Sequence, residues 1–172
     1  MKIYLIGLPG CGKSTLGKQL SKRLDVPFID LDIALEQREG KPVKDIFKEK
    51  GEDYFRKIES DTLRKVSEGL PEFVLATGGG APVFYDNMEF MNKLGHTIFL
   101  DVPAREIANR ILKSNKEERP LLAKLAPDEL KDQIEFLRSQ RIRFYNQAIH
   151  TISANAIKVE DVLIKLQSET NT

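Results

Sequence analysis

A phosphate-binding pattern stands near the amino terminus, where Gly7, Gly12, Lys13 and Ser14 satisfy G-x-x-x-x-G-K-[ST]. The glycines allow consecutive backbone N–H groups to turn toward one anion, and the start of a following helix adds positive potential. The lysine ammonium can reach phosphate oxygens, and the serine hydroxyl is a ligand that suits Mg²⁺. The pattern therefore predicts an anion site for nucleotide phosphates, with Lys13 on the phosphates and Ser14 as the metal ligand.

Two carboxylates, Asp30 and Asp32, lie at the end of the second apolar run, in the segment "FIDLD". Either side chain could hold a water on Mg²⁺ or accept the proton of an attacking hydroxyl, as phosphoryl transfer requires. One of them could also cap the helix that follows, and Asp32 precedes the helical pattern "IALEQ". The two roles are compatible.

Three consecutive glycines, Gly78, Gly79 and Gly80, follow the third apolar run in "FVLATGGGAP". They allow a ligand to approach the backbone closely, although a simple tight turn has the same composition. Arg56 and Arg141 lie among apolar residues, and a guanidinium group grips a carboxylate with two parallel hydrogen bonds. The pair suggests a substrate that carries a carboxylate, whereas each arginine alone is more often part of a surface ion pair.

Arg119 lies in the charged, proline-containing segment around "ERPLL", which we expect to be a mobile lid over residues 113–124. An arginine on such a lid could neutralise phosphate charge during transfer and exclude water. Taken by itself, it could equally be an ordinary loop charge.

Short apolar runs at residues 2–7, 26–30, 72–77, 96–101 and 149–153 predict five strands. The stretches between them have helical spacing, as in Leu16, Leu20 and Leu24, and a last helix is expected over about 159–166. This alternation predicts an α/β fold with a parallel sheet, helices on both faces, and ligands at the carboxyl ends of the strands. His96 and His150 begin strands at the opposite edge, so we interpret them as structural.

The composition is that of one globular domain, with 172 residues, 41% hydrophobic and 31% charged. Because 27 Lys and Arg balance 26 Asp and Glu, no net field would attract nucleic acid or a membrane. We find no apolar run of the roughly 20 residues that a span needs, and the one cysteine cannot form an internal disulfide. We therefore expect a cytoplasmic monomer that acts on a small molecule.

Taken together, these segments resemble the shikimate kinase family, within the P-loop nucleoside-monophosphate-kinase-like group. The segments that carry the resemblance, in order along the chain, are "GLPGCGKST", "FIDLD", "IFKEKGEDYFRKIE", "LATGGGAP", "ERPLL" and "QRIRFY". The resemblance implies a three-layer P-loop kinase fold with a five-stranded parallel sheet, forming a single domain over 1–172. It also implies ATP and Mg²⁺ as cofactors and transfer of the γ-phosphoryl group to the 3-hydroxyl of shikimate, in the chorismate route to aromatic amino acids.

Roles for individual residues also follow from this resemblance. Asp32 would bind the shikimate hydroxyls and orient or deprotonate the attacking one, within a substrate region of about 31–62. The carboxylate would be held by Arg56, Arg141 and the backbone of Gly78, Gly79 and Gly80. The nucleotide phosphates would be held by Gly10, Cys11, Gly12, Lys13, Ser14 and Thr15, with Mg²⁺ on Ser14. Lys13 and the lid residue Arg119 would act on the phosphates, and Arg110 and Asn155 would flank adenine.

One segment departs from the family pattern R-x-P-L-Y, because this chain reads Arg141-Ile142-Arg143-Phe144-Tyr145. Proline would break a helix, so its absence favours a longer one. Arg143 becomes a rival to Arg141, but Arg141 keeps the family's spacing to Tyr145 and is preferred.

Two other functions remain open at this stage. Another small-metabolite kinase, such as a gluconate kinase, would share the phosphate loop but would not need the two arginines with the triple glycine. A GTP-dependent switch would normally carry N-K-x-D for guanine, and this string does not occur in the sequence.

Overall fold

The computed structural model describes residues 1–114 and 126–168, and within them five strands form one sheet. The strands are β1 Lys2–Ile6, β2 Phe28–Asp30, β3 Phe73–Ala76, β4 His96–Asp101 and β5 His150–Ser153. All neighbouring strands are parallel, in the order β2-β3-β1-β4-β5. The five predicted strands are thus confirmed, each within two residues at either end.

Helices connect the strands, as the alternating pattern predicted. They are α1 Lys13–Leu24, α2 Leu31–Glu39, α3 Val43–Gly69, α4 Asn87–Leu94, α5 Ala104–Lys113, α6 Pro127–Tyr145 and α7 Val159–Gln167. Along the central strand β1, Ile3, Tyr4, Leu5 and Ile6 are all fully buried. Successive side chains of a strand point to opposite faces, so both faces of the sheet are covered. The predicted α/β class with a parallel sheet is confirmed.

Helix α1 begins directly after the phosphate-loop pattern and packs tightly against the sheet. A β-carbon added at Gly17 would overlap the ring of Phe28 on β2. Gly10 and Gly12 have φ values of 83° and 98°, a backbone region that side chains with a β-carbon rarely adopt. The loop can therefore curl at the end of β1 and deliver Lys13 to the first turn of α1.

A small second core joins α2 to the first part of α3. Leu35, Ile46, Phe55 and Ile58 are buried together, apart from the main core around the sheet. Helix α3 is kinked at Gly51, where φ is 82° and ψ is 174°. Arg56, which we placed near the start of a helix, therefore lies just after the kink of a longer one.

Helix α6 runs without interruption through Arg143 to Tyr145. This continuity agrees with the expectation that a chain without proline at this position would keep its helix. Arg119 and nearly all of the predicted lid lie outside the described residues. Among the helices that are described, none is both long and apolar enough to cross a membrane.

Candidate active site

A cleft of about 630 Å³ opens at the carboxyl edge of the sheet. Its walls come from segments that follow different strands: the loop after β1, Asp30 and Asp32 after β2, and Thr77 to Gly79 after β3. Arg110 of α5 and residues 156–157 after β5 close its far side. Parallel strands bring such segments together at their carboxyl ends. Of the residues that the sequence marked for chemistry, those lining this cleft are Gly10 to Thr15, Asp30, Asp32, Gly78, Gly79 and Arg110, whereas Arg56, Gly80, Arg141 and Asn155 do not line it.

The phosphate-loop lysine is held inside its own loop. Lys13 is 8% exposed, and its Nζ donates hydrogen bonds to the carbonyl oxygens of Gly7 and Leu8, both at 2.9 Å. The buried Cys11 Sγ lies 3.7 Å from the same Nζ. The Lys13 ammonium thus lies inside the curl of backbone at the start of α1, where the backbone amides and the helix dipole also favour an anion.

Asp30 links three elements of the site. Its Oδ2 accepts a 2.7 Å hydrogen bond from Ser14 Oγ, and its Oδ1 accepts bonds from the backbone N–H groups of Asp32 and Ile33, at 3.1 and 3.4 Å. Asp30 is therefore the cap of α2, and Asp32, for which we had considered that role, lies in the first turn. The reason is that β2 ends at Asp30 and α2 begins at the next residue.

Asp32 lines the cleft with a carboxyl group of altered basicity. Burial raises its pKa above the ordinary value, and the negative charge of Asp30 acts in the same direction. The positive charges of Lys13 and Arg56 oppose this rise. A carboxylate with a raised pKa is a better proton acceptor, which is a useful property next to a hydroxyl nucleophile.

The triple glycine is the point where the other predicted groups converge. A β-carbon at Gly78 would lie 3.2 Å from Asp32 Oδ1, and one at Gly79 would lie 2.9 Å from Arg141 Nη1. A β-carbon at Gly80 would overlap the guanidinium of Arg56. The absence of side chains here lets one acid and two arginines approach the same stretch of backbone.

Arg56 is fixed in place from several sides. It is 9% exposed, and its Nη1 donates to Glu59 Oε1 at 2.9 Å. Its guanidinium carbon also lies 4.6 Å from the ring centre of Phe84 and 5.2 Å from that of Phe55. These contacts leave the side chain little freedom beside Gly80.

Glu59 is a site residue that the sequence reasoning missed. It is 1% exposed, and a β-carbon at Gly78 would lie 2.9 Å from its Oε2. Burial raises the pKa of Glu59, while the positive charge of Arg56 lowers it. The spacing of three residues between Arg56 and Glu59 on one helix was a signal that could have pointed to this pair.

Arg141 and Arg143 differ clearly in environment. The Nη1 atom of Arg141 is buried and has no hydrogen-bond partner among the described residues. Four residues on, the Tyr145 hydroxyl donates a 2.6 Å bond to the carbonyl oxygen of Gly79, and burial raises its pKa to about 12. Arg143 is exposed, with its guanidinium 4.8 Å from the ring centre of Phe144. Of the two arginines, Arg141 is the one beside the loop of Gly78, Gly79 and Gly80, which we call the glycine loop.

Arg110 joins the phosphate loop to the segment after β5. Its Nη1 donates to the carbonyl oxygen of Cys11 at 3.1 Å, and its Nη2 donates to that of Asn155. Arg110 lines the cleft, whereas Asn155 lines a neighbouring groove. The main chain of Asn155 is therefore tied to the cleft wall, while Ala156 and Ile157 line the cleft itself.

The two histidines lie at the amino ends of β4 and β5, at the edge opposite the cleft. His96 Nδ1 is 3.3 Å from His150 Nε2, and the rings are stacked. This location agrees with their interpretation as structural residues.

Known proteins resemble the chain over almost its whole length. The sequence model of the shikimate kinase family matches residues 9–170. A curated shikimate kinase from Bacteroides fragilis is 45% identical over 161 residues, which are 94% of this chain and 88% of that protein.

Solved structures agree with the sequence matches. A crystal structure of shikimate kinase from Bacteroides thetaiotaomicron is similar with a TM-score of 0.88 and 41% identity, over 100% of this chain and 99% of that one. A structure of shikimate kinase from Acinetobacter baumannii in complex with shikimate has a TM-score of 0.81 and 30% identity, over 98% of this chain and 92% of that one.

Proposed function

The chain belongs to the shikimate kinase family, and from that premise we propose how its own residues carry out the reaction. The protein is an ATP-dependent kinase that transfers the γ-phosphoryl group to the 3-hydroxyl of shikimate, which gives shikimate 3-phosphate and ADP. The reaction belongs to the shikimate route to aromatic amino acids. The roles of individual residues, which follow, are our proposals.

One observation supports the proposal most directly, and it concerns the part of the site that would bind the substrate carboxylate. Arg141 Nη1 is buried beside Gly79 without a hydrogen-bond partner among the described residues, and such a donor needs an acceptor, which a substrate carboxylate would supply. Arg56 lies against the next glycine, Gly80. Two guanidinium groups against adjacent glycines suit a carboxylate, which accepts from both and from backbone N–H groups.

The nucleotide half is formed by Gly10 to Thr15 together with the start of α1. Backbone N–H groups of this loop hold phosphate oxygens, and Lys13 exchanges its carbonyl partners for the β and γ phosphates. Arg110 and the segment around Asn155 flank adenine. Arg119 remains a prediction for the lid, since it lies outside the described residues.

The oxygens around Ser14 fit Mg²⁺. Ser14 Oγ and Asp30 Oδ2 are hard ligands 2.7 Å apart, and both residues line the cleft. The described residues contain no group of three or more His, Cys, Asp or Glu that would form a metal cage, and Mg²⁺ is commonly held by few protein ligands with phosphates and waters. Ser14 would bind the ion directly and Asp30 through water, and the bound ion would neutralise phosphate charge.

Asp32 faces the acceptor hydroxyl in this arrangement. Its carboxylate accepts a hydrogen bond from the 3-hydroxyl and takes the proton as the new oxygen–phosphorus bond forms. Its raised pKa supports this role, because a more basic carboxylate is a better acceptor. The carboxylate clamp holds the opposite side of the substrate and so points the hydroxyl toward the phosphate loop.

We also propose the organisation in which this site works. Residues 1–172 act as a single P-loop kinase domain, with 31–62 as the substrate region and 113–124 as the lid. We propose that the protein is a cytoplasmic monomer. The balance of 27 basic and 26 acidic residues gives no net field that would attract nucleic acid or a membrane, which supports a small-molecule role.

The test is substrate-dependent release of ADP. Wild-type protein is assayed with ATP and Mg²⁺ against shikimate, gluconate and nucleoside monophosphates, with Lys13→Ala as the inactive control. We expect turnover with shikimate alone. A preference for gluconate or a nucleotide would reject the assignment, and strong selectivity for GTP over ATP would favour a switch.

A further inference from the structure

One face of α3 runs along the segment that follows the triple glycine. Arg56, Ser60 and Arg64 are spaced four residues apart and therefore form a single stripe on this helix. Arg56 contacts Gly80, at the site. None of the three side chains lines the cleft itself. Ser60 and Arg64 contact Asn87, at the start of α4.

The side chain of Asn87 bridges α3 and the glycine loop. The residue is fully buried, and its Oδ1 accepts hydrogen bonds from Ser60 Oγ at 2.8 Å and Arg64 Nη1 at 2.7 Å. Its Nδ2 donates a 2.8 Å bond to the carbonyl oxygen of Ala81, the residue directly after Gly80. The surrounding donors and the carbonyl acceptor define this orientation of the amide.

The turn between Ala81 and Asn87 needs such support. Tyr85 and Asp86 have φ values of 50° and 54°, a left-handed conformation that is uncommon for residues other than glycine. Arg64 Nη2 donates to the Tyr85 carbonyl oxygen at 2.8 Å. The same turn contains Phe84, whose ring packs on Arg56. The shape of the turn therefore affects the position of Arg56 as well as that of the backbone at Ala81.

We propose that Asn87 is a positioning residue for the carboxylate-binding half of the site. Its bond to Ala81 holds the glycine loop at the distance from Arg56 at which backbone and guanidinium meet one carboxylate. The inference rests on the proposed function of Arg56 and the glycine loop. The phosphate loop is anchored separately, through Asp30 and Arg110, so Asn87 affects binding of the acid and leaves nucleotide binding unchanged.

The variant that isolates this bond is Asn87→Asp. The carboxylate keeps the size of the amide and still accepts from Ser60 and Arg64, but it places an oxygen against the Ala81 carbonyl where Nδ2 donated. Two acceptors repel, so the loop shifts away from Arg56. We expect the KM for shikimate to rise about ten-fold or more, as small displacements in a site do, while the KM for ATP stays at the wild-type value.

Asn92→Asp is the matched control, on the same helix. Asn92 Nδ2 donates to the Gln147 carbonyl oxygen at 2.8 Å, and its Oδ1 accepts from Thr97 Oγ1. As in Asn87→Asp, an amide becomes a carboxylate and a hydrogen bond to a backbone carbonyl is lost, but here at a position away from the glycine loop. We expect a lower Tm with an unchanged KM for shikimate.

Ser60→Ala is the second variant, for the case that Asn87→Asp does not fold. It removes one of the two donors to Asn87 Oδ1 and leaves the amide in place, so we expect a smaller rise in the KM for shikimate alone. If Asn87→Asp does not fold, this variant decides.

Wild-type turnover, measured in the same assay, distinguishes a failure of the proposed function from a failure of the role proposed for Asn87. Failure of the wild type to use shikimate would reject the proposed function. With an active wild type, an unchanged shikimate KM in the deciding variant would overturn the role of Asn87. Equal rises for shikimate and ATP, or an equal rise in Asn92→Asp, would overturn it as well.

Discussion

Asp30 and Asp32 are only two positions apart in the sequence, but their side chains have different environments. Asp30 accepts three hydrogen bonds, from Ser14 and two backbone N–H groups, so it stabilises the start of α2 and lies where we propose the metal ion. Asp32 is half-buried and faces the cleft, and its pKa is raised by burial and by Asp30. The charge of Asp32 is therefore destabilising in the folded protein, which is a typical property of a residue kept for catalysis.

Asp32→Asn should separate stability from activity. Because the folded-state pKa of Asp32 lies above its unfolded value, the free energy of unfolding falls as pH rises through that range. The variant should therefore have a higher Tm than wild type at pH 7, and the difference should vanish below the ordinary carboxyl pKa of about 4. We expect kcat to fall about 10²–10⁴-fold, as when a general base is removed. Thermal melts across pH and steady-state kinetics test this, and a lower Tm at pH 7 would contradict it.

Arg141→Ala and Arg143→Ala form a matched pair on one helix. Arg141 has a buried Nη1 beside Gly79 with no hydrogen-bond partner among the residues that the structure describes, whereas Arg143 is exposed against Phe144. We expect Arg141→Ala to weaken shikimate binding by about 2–5 kcal/mol, the effect of losing one side of a desolvated charge pair. Arg143→Ala should bind shikimate like wild type. Calorimetric titration measures both, and a greater loss in Arg143→Ala would reverse the assignment.

At the scale of elements, the loop after β3 and helix α3 fit each other because glycine has no side chain. Gly80 has ordinary right-handed backbone angles, with φ of −90°, so other residues could adopt its conformation. Its constraint is spatial: a β-carbon would overlap the Arg56 guanidinium. The glycine there allows close approach and does not serve a special turn.

Gly80→Ala should therefore damage the site more than the fold. The nearest atoms to the added β-carbon all belong to the Arg56 guanidinium, so this group has to give way, and the displacement moves it away from the proposed carboxylate position. We expect the KM for shikimate to rise about ten- to a hundred-fold, with the KM for ATP unchanged. Gly69→Ala on α3 is the control, because nothing lies within 4 Å of its added β-carbon. Equal kinetic effects in the two variants would show that Gly80 does not set the clamp.

At the scale of the whole molecule, the site that we propose has two halves built from different elements. The phosphate loop lies between β1 and α1, and the arginines proposed to bind the carboxylate lie on α3 and α6, against Gly80 and Gly79. Each half should bind its ligand when the other is damaged, whereas transfer needs both.

Thermal shifts should reveal this independence. A ligand at 100 times its Kd stabilises the folded state by about 2.7 kcal/mol, which is readily measured as a change in Tm. Lys13→Ala should lose the shift caused by an inert ATP analogue and keep the shift caused by shikimate. Arg56→Lys should show the reverse, since it keeps a charge beside Glu59 but loses the planar fork. Loss of both shifts in either variant would contradict two separable half-sites.

The sequence by itself determined the features that lie within one continuous segment. The phosphate loop was predictable because Gly7 to Ser14 are contiguous and the strand before them and the helix after them have clear patterns. The five strands were predictable because short, apolar, β-branched runs suit a buried parallel sheet. The apolar surroundings of Arg56 and Arg141 in the sequence suggested a carboxylate-binding pair, and the family resemblance assigned that carboxylate to shikimate.

The tertiary structure decided what depends on contacts between distant segments. It placed Arg141, not Arg143, beside Gly79, and it made Asp30 the helix cap. It also showed Glu59 against the glycine loop and Asn87 holding Ala81. The physical reason is that burial and hydrogen bonding of a side chain are set by its neighbours in space. The bond from Tyr145 to Gly79 joins residues 66 positions apart, a distance over which no spacing rule operates.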